Sequence, residues 1–162
     1  MCIRDSYYDL QAHREFRQSY GTDAGVGSRI WSAYALWLLG FPEQALSRGQ
    51  QAIELSNAIG DPGNQQLALD IFLILSLLIG ELAGIEKRMN SYQTVLEKRP
   101  LPIHCADFEF IQGLYHLRND RIDEGIEKMI RGNEGFMACG TRSQLSLRMA
   151  TVSYTHLTLP TK

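Results

Sequence analysis

Apolar residues in this chain fall into runs of helical length, and each run ends at a short turn rich in Gly, Pro or Asp. The turns form two sets, each with a period of about 40 residues, because a helix pair repeats at fixed spacing in stacked arrays. The members are Gly40, Gly80 and Asp120 in one set and Gly60, Pro100 and Gly140 in the other. This pattern predicts an all-α fold of antiparallel helix-pair repeats, about three of them, stacked as an α-solenoid.

The same turn residues predict where single helices begin and end. Thr22 or Asp23 is a candidate N-cap, Pro42 and Pro62 suit first helical positions, and Asn119 suits the left-handed position of a turn. The predicted helices cover about 26–39, 42–59, 62–79, 82–98, 103–117 and 122–138, with a truncated helix at 144–150 capped by Thr141. A polar remnant of an earlier repeat is predicted at 8–19.

The two ends of the chain read differently from the rest. The first six residues, MCIRDS, and the last eleven, VSYTHLTLPTK, resemble the two strands of a translated adapter used in sequencing libraries. We therefore expect 1–6 and 152–162 to be scars that do not join the fold. The alternative is a genuine β-prone tail. The predicted array spans 7–151, with repeats at about 21–60, 61–100 and 101–140 and a partial repeat at 141–151.

Composition narrows the function classes. Sixteen basic and 18 acidic residues leave the chain mildly acidic, which gives no electrostatic case for nucleic acid. Outside the predicted scars, Cys105 and Cys139 have neither disulfide nor zinc spacing, which favours a reducing, cytoplasmic setting. The apolar run at 71–80 is only ten residues long, so a buried helix is favoured over a membrane span. We predict no cofactor and no metal site.

Small residues mark where helices should cross closely. Ala45 and Ala52 lie seven apart on one helix face, and Gly125 and Gly132 occupy the same two places in the third repeat. Because glycine disfavours a helix interior by about 1 kcal/mol relative to alanine, its use here suggests backbone contact. The predicted packing positions are Ala33, Ala45, Ala52, Gly113, Gly125 and Gly132. The second repeat departs, with Leu73, Ile85 and Tyr92, and predicts wider spacing or altered curvature.

The segment GFPEQALSRGQQAIEL at 40–55 resembles the second helix of a tetratricopeptide repeat, and RIDEGIEKMIRG at 121–132 resembles it less strongly. YGTDAGV, ALWLLGFPEQAL and DEGIEKMIRGNEGFMACGT are similar to the C-terminal repeats of large bacterial signalling proteins. Those proteins carry a class III adenylate or guanylate cyclase or a kinase domain, then an AAA-type ATPase. The resemblance implies catalytic domains outside this segment and none within it.

In tetratricopeptide arrays the first helix of each pair lines a concave groove. Carried over by position, the resemblance implies a binding groove for a protein or peptide, possibly another domain of the same chain. Its residues would be Ile30, Tyr34, Trp37, Asp70, Ile74, Leu77, Asp107, Phe110 and Leu114. On this hypothesis, alanine at Trp37 or Phe110 weakens binding without unfolding the chain.

Other motifs give weaker evidence for catalysis or ligand binding. The glycine-rich stretch at 21–27 lacks a Gly-Lys-Ser/Thr ending and follows no strand, so a turn is favoured over a phosphate loop. His104 and Cys105 are adjacent on a helix and point in different directions, which disfavours a nucleophile pair. His116 suits a helix C-terminus. The carboxylates Asp123, Glu124 and Glu127 suit a solvated first turn.

The aromatic row of Trp31, Tyr34 and Trp37 favours packing over ligand stacking. Together these features predict a non-catalytic helical-repeat scaffold that binds protein and regulates an attached domain. The alternative is a small-ligand sensor of a signal-transduction regulator. We expect no membrane and no nucleic-acid partner, and self-association is expected through repeat faces left open at the ends.

Overall fold

The computed structural model of the chain describes residues 21–141 and 145–158. Within these ranges there are helices and turns and no strand, so the predicted all-α class is confirmed. The helices are α1 (Ala24–Leu38), α2 (Pro42–Ile59), α3 (Pro62–Ile79), α4 (Ile85–Lys98), α5 (Pro102–Arg118), α6 (Ile122–Ala138) and α7 (Leu145–Thr158). The expected helical remnant at 8–19 and the N-terminal scar lie outside the described residues.

The turn positions that recur every 40 residues share one backbone conformation. Gly40, Gly80 and Asp120 have φ values of +84°, +89° and +59°. This left-handed conformation ends a helix, and glycine adopts it without a steric penalty. In the third repeat Asp120 takes this position, whereas the sequence favoured Asn119, whose φ is −110°. The 40-residue period is therefore a repeat of turn geometry as well as of sequence.

Helix starts follow the predicted caps. The Asp23 carboxylate accepts hydrogen bonds from the backbone N–H groups of Gly25 and Val26 at 2.8 and 3.2 Å. Asp61 caps α3 by accepting from the Asn64 N–H at 3.0 Å, and Pro62 follows at the first helical position. Because a carboxylate of the chain already occupies the N-terminus of α1, the 21–27 stretch is a capped turn and not an anion loop.

Two helices differ from the sequence expectation at their ends. α4 starts at Ile85 instead of 82, because Gly84 adopts φ +67° and Glu81 accepts a hydrogen bond from the Ala83 N–H. α7 continues to Thr158, whereas a truncated helix ending near 150 was predicted. No Gly or Pro interrupts residues 145–158, and Val152 packs against the core. The helix therefore extends into the segment 152–162, which was expected not to join the fold.

Two hydrophobic cores are joined by α3. Ala68, Ile71 and Leu75 of α3 pack with α1 and α2 in the first core. Leu69, Leu73, Ile74 and Leu77, on another face of α3, pack with α4, α5 and α6 in the second core. A helix that serves two cores must be apolar around most of its circumference, which explains the uninterrupted run at 71–80.

By length and composition alone, α3 could cross a membrane, but 67% of it is buried inside the protein. It packs against α1, α2, α4 and α5. This environment accounts for the hydropathy of α3 without a lipid phase, as the sequence favoured.

α5 and α6 meet backbone to backbone at the predicted glycines. A methyl group added at Gly113 would lie 2.6 Å from the Gly125 carbonyl oxygen, and one at Gly132 would lie 2.7 Å from the Phe110 backbone nitrogen. Ala33, Ala45 and Ala52 are fully buried at their matching places in α1 and α2. In the second repeat, Leu73, Ile85 and Tyr92 are buried instead. These large side chains of α3 and α4 occupy positions that match those at which α5 and α6 meet through their backbones.

Replacing Gly132 with alanine is expected to destabilise the protein by about 1–3 kcal/mol, because the methyl group would overlap backbone atoms of α5 that cannot rotate away. The matched control is Gly27→Ala in α1, where the methyl group would meet Thr22 Cγ2 at 3.8 Å, an ordinary contact. Alanine there should stabilise the helix by up to about 1 kcal/mol. Urea unfolding followed by circular dichroism measures both; equal stabilisation by both changes would contradict the close α5–α6 contact.

Polar contacts between successive repeats also follow the 40-residue spacing. The Asp23 backbone N–H donates to Asn64 Oδ1 at 2.8 Å. Arg118 donates from Nε to the Leu77 carbonyl at 2.9 Å and from Nη2 to the Leu78 carbonyl at 3.0 Å. A guanidinium group from one repeat thus satisfies carbonyl groups at the end of α3 in the repeat before it. These bonds fix the register between neighbouring helix pairs.

Candidate functional site

The residues predicted to line a groove lie mainly in the interior. Ile30 belongs to the first core, and Ile74, Leu77, Phe110 and Leu114 belong to the second. Asp70 and Asp107 are buried as well, while Tyr34 and Trp37 are half-buried. Buried side chains cannot contact a ligand in this conformation. Because neighbouring helices cover the Phe110 ring, we now expect alanine there to destabilise the fold as well.

A group of exposed apolar side chains lies on a different face of α1 and in the turn that follows it. Trp31 is 52% exposed, Leu38 is 64% exposed, and Leu39 and Phe41 in the following turn are also exposed. Trp31, Ala35 and Leu38 follow the i, i+4, i+7 spacing of one helix face. We call Trp31, Ala35, Leu38, Leu39 and Phe41 the α1 surface.

Of the aromatic row, only Trp31 belongs to this surface. Tyr34 and Trp37 pack against the first core, with their ring centroids 5.7 Å apart, and Trp31 meets Tyr34 edge to face at 6.4 Å. Packing, the favoured interpretation, is thus confirmed for Tyr34 and Trp37. Trp31 packs against Tyr34 on one side and faces solvent on the other.

A buried polar cluster lies where α3, α4, α5 and α7 meet. Asp70 comes from α3, His104 and Asp107 from α5, and Arg148 from α7. Arg148 Nη2 donates to Asp107 Oδ1, and His104 Nδ1 lies 3.8 Å from Asp107 Oδ2. The Tyr92 hydroxyl of α4 donates to the His104 carbonyl oxygen at 3.2 Å. Three repeats therefore contribute side chains to one charged cluster.

Arg148 is held by two aromatic rings as well as by Asp107. Its guanidinium carbon lies 4.4 Å from the centroid of Phe110 and 4.2 Å from that of Phe136. The side chain is only 2% exposed. A guanidinium plane stacks well on aromatic faces because it is weakly hydrated and delocalised. Arg148 thus anchors α7 to α5 and α6.

The environment of the cluster changes the proton affinity of two of its members. Burial, the neighbouring Asp107 carboxylate and a hydrogen bond with it raise the pKa of Asp70 well above 3.8, while Arg148 opposes the rise. Burial and the charges of Asp70 and Asp107 likewise raise the pKa of Tyr92 well above 10.0. Charged forms of both groups are disfavoured where water is excluded.

Asp70→Asn is expected to stabilise the protein at neutral pH. Because the folded-state pKa of Asp70 exceeds its unfolded value, its contribution to stability is fully present below pH 3.8 and is lost as pH rises through the folded-state pKa. Asp107, His104, Tyr92 and Arg148 all face it. The variant stays uncharged, so its advantage should grow from about pH 4 upward.

Urea unfolding between pH 4 and pH 8, in buffer with a chelator, measures this difference. The matched control is Asp123→Asn, which removes an exposed carboxylate on α6. If Asp70→Asn and the unsubstituted chain are equally stable across the whole range, burial does not disfavour the charged form of Asp70.

The remaining candidate residues lie at or near the surface of α5 and α6. The exposed Cys105 thiol has its pKa raised by partial burial and by Cys139, while the adjacent His104 ring faces Asp107. His116 Nδ1 lies 3.5 Å from Glu124 Oε2, and burial lowers the His116 pKa. Asp123, Glu124 and Glu127 are exposed on the first turns of α6, as predicted.

Sequence reasoning missed Arg148 and the α1 surface. Arg148 lies 41 residues after Asp107, the same separation that joins Asp23 to Asn64 and Leu77 to Arg118. Opposite charges 41 residues apart, at Asp107 and Arg148, are therefore the sequence signal for this contact. Comparison of the chain with protein-family models, curated proteins and solved structures finds no match in any of the three.

Proposed function

We propose that this chain is a non-catalytic helical-repeat scaffold that binds a partner protein through the α1 surface. The observation that carries the proposal is the exposure of Trp31, Leu38 and neighbouring apolar side chains on a helix with almost no charge. α1 has one charged residue, Arg29, in 15 positions, and the buried α3 has one, Asp70, in 18. α1 thus has the composition of an interior helix and the exposure of a surface one.

The repeat spacing indicates what the α1 surface fits. One repeat later, Ile71 and Leu75 correspond to Trp31 and Ala35, and they pack in the first core against α1 and α2. Two repeats later, Arg118 corresponds to Leu38 and bonds the end of α3. The residues at these three corresponding positions therefore contact the preceding helix pair. The occupant that we propose for the α1 surface is an α-helix with an apolar face, supplied by a partner protein.

The wider setting of the proposal comes from the sequence resemblance. In a bacterial signalling protein of that kind, a cytoplasmic repeat scaffold would hold a cyclase, kinase or ATPase domain in a regulated position. The exposed α1 surface supports a role in binding, and the raised pKa of Cys105 disfavours this thiol as a nucleophile.

Selection of displayed amphipathic helices against the purified chain tests the proposal. We expect helices that bind the chain and lose at least tenfold in affinity on Trp31→Ser with Leu38→Glu. The control is Glu97→Gln, an exposed change on α4, which should leave binding unchanged. Selected helices that bind the Trp31 and Leu38 variant equally well would overturn the proposal.

A different outcome would indicate another occupant of the α1 surface. Self-association in light scattering that Leu38→Glu abolishes, without any helix selected, would assign the α1 surface to a second copy of the chain.

A second candidate function, the small-ligand sensor, has one observation in its favour: a shallow pocket lined by Leu82, Ile85, Glu86, Tyr115 and Asn119. A metabolite at 100 times its dissociation constant would stabilise the chain by about 2.7 kcal/mol, a shift that melting curves detect.

A further inference from the structure

Three potential metal ligands from two repeats converge in the buried polar cluster. One atom each of Asp70, His104 and Asp107, an oxygen, a nitrogen and an oxygen, all lie within 4.8 Å of one another. Asp70 is on α3, and the other two are one helical turn apart on α5, so they point the same way. The ligand types match those that hold zinc and similar ions in proteins.

Two polar atoms of these residues lack a hydrogen-bond partner in the described part of the chain. Asp70 Oδ1 and His104 Nδ1 are both buried and make no hydrogen bond there. Asp70 is 4% exposed, so solvent does not satisfy its oxygen. Buried polar atoms without a hydrogen-bond partner are uncommon in proteins, and a bound ion is one arrangement that satisfies them. Asp70 and His104 each offer a ligand atom within 4.8 Å of one on Asp107.

Arg148 leaves one oxygen of Asp107 available. Its guanidinium group bonds Oδ1, and Oδ2 is the oxygen that faces His104 Nδ1 at 3.8 Å. Ligand atoms on a tetrahedral zinc ion lie about 3.4 Å apart, so this pair needs little movement to share an ion. A hydrogen-bonded carboxylate ligand is also the usual arrangement in metal sites, because the second partner fixes its orientation. The His104 side chain, 12% exposed, gives the site an edge toward solvent.

We propose that Asp70, His104 and Asp107 form a binding site for one divalent transition-metal ion of the Zn²⁺ type. The ion would connect α3 to α5, and through Asp107 and Arg148 it would also act on α7. The site would thus tie the second, third and fourth repeats together. This inference is independent of the α1 surface.

Isothermal titration of the tag-free chain with Zn²⁺ tests the site. The background carries Cys105→Ser and Cys139→Ser, since both thiols are exposed and could bind the ion themselves. We expect one Zn²⁺ per chain, a rise in melting temperature on binding, and no binding of Mg²⁺, which prefers an all-oxygen site. Asp70→Asn and His104→Gln should each weaken Zn²⁺ binding at least tenfold.

The matched control is His116→Gln, which removes a histidine that also lies near a carboxylate, Glu124, outside the cluster. It should bind Zn²⁺ as the background does. Asp70→Asn replaces the carboxyl group by an amide of the same shape, so it still tests the site if His104→Gln fails to fold. No Zn²⁺ binding, equal binding by Asp70→Asn, or equal loss in His116→Gln would each overturn the proposal.

Discussion

Asp107→Asn is expected to destabilise the protein strongly, in the lower part of the range of about 3–5 kcal/mol that is typical of a broken buried ion pair. The change leaves the Arg148 guanidinium group, 2% exposed, without its carboxylate partner. Arginine cannot lose its proton at accessible pH, so the charge stays buried. Asp70 limits the loss, because it can ionise and partly replace the missing charge.

The matched control for this change is Glu109→Gln. Glu109 lies two residues further along α5 and pairs with Arg131 at 2.9 Å, but both side chains are exposed. Exposed pairs contribute about 0–1 kcal/mol, so this variant should unfold almost as the unsubstituted chain does. Urea unfolding in chelator-containing buffer measures both. Similar small losses for Asp107→Asn and Glu109→Gln would show that Arg148 does not depend on Asp107.

Asp107→Asn and Asp70→Asn are therefore expected to have opposite signs. Both remove a buried carboxyl group from the same cluster, but only Asp107 bonds Arg148 directly. Burial is the largest cause of the raised pKa of Asp70. Comparing their free energies of unfolding shows which carboxyl group stabilises the fold and which destabilises it at neutral pH, without any change in side-chain size.

Phe110→Ala is expected to destabilise the protein by about 3–5 kcal/mol, the usual cost of emptying a buried aromatic site. Phe110 is 2% exposed, belongs to the second core, and lies under the Arg148 guanidinium group. Phe110→Leu keeps most of the volume and loses the aromatic face, so it should be less harmful. Trp31→Ala, at an exposed position, should change stability by less than about 0.5 kcal/mol.

Thermal and urea unfolding distinguish these three variants. The order expected for the loss of stability is Phe110→Ala, then Phe110→Leu, then Trp31→Ala. A Phe110→Ala protein as stable as Trp31→Ala would contradict the burial of the Phe110 ring and would return it to the predicted groove.

The turns of this protein were predictable because local chemistry determines them. Gly40, Gly60, Gly80 and Gly140 all adopt positive φ, and Asp61-Pro62 starts a helix as its residue types require. Gly113 and Gly132 could be placed at a helix contact because glycine is otherwise unfavourable within a helix. The start of α4 was misplaced because Gly84 adopts a left-handed conformation and delays the helix to Ile85.

The candidate site was less predictable because it depends on packing between distant segments. Position within the repeat placed Asp70 and Phe110 in a groove, yet burial depends on which helix covers that face. α7 brings Arg148 onto Asp107, and only the 41-residue separation, not the residues next to Arg148, relates the two in the sequence. Exposure of Trp31 likewise depends on what packs on α1, which spacing along a single helix does not specify.

The position of α3 in both hydrophobic cores has a consequence for how the chain unfolds. In repeat proteins each unit is stabilised mainly by its neighbours, so units can open one at a time from the ends. Here loss of α3 would remove a wall from the α1–α2 core and from the core of α4, α5 and α6 together. Opening of the middle repeat is thus inseparable from global unfolding, and its amide hydrogens should exchange with solvent last.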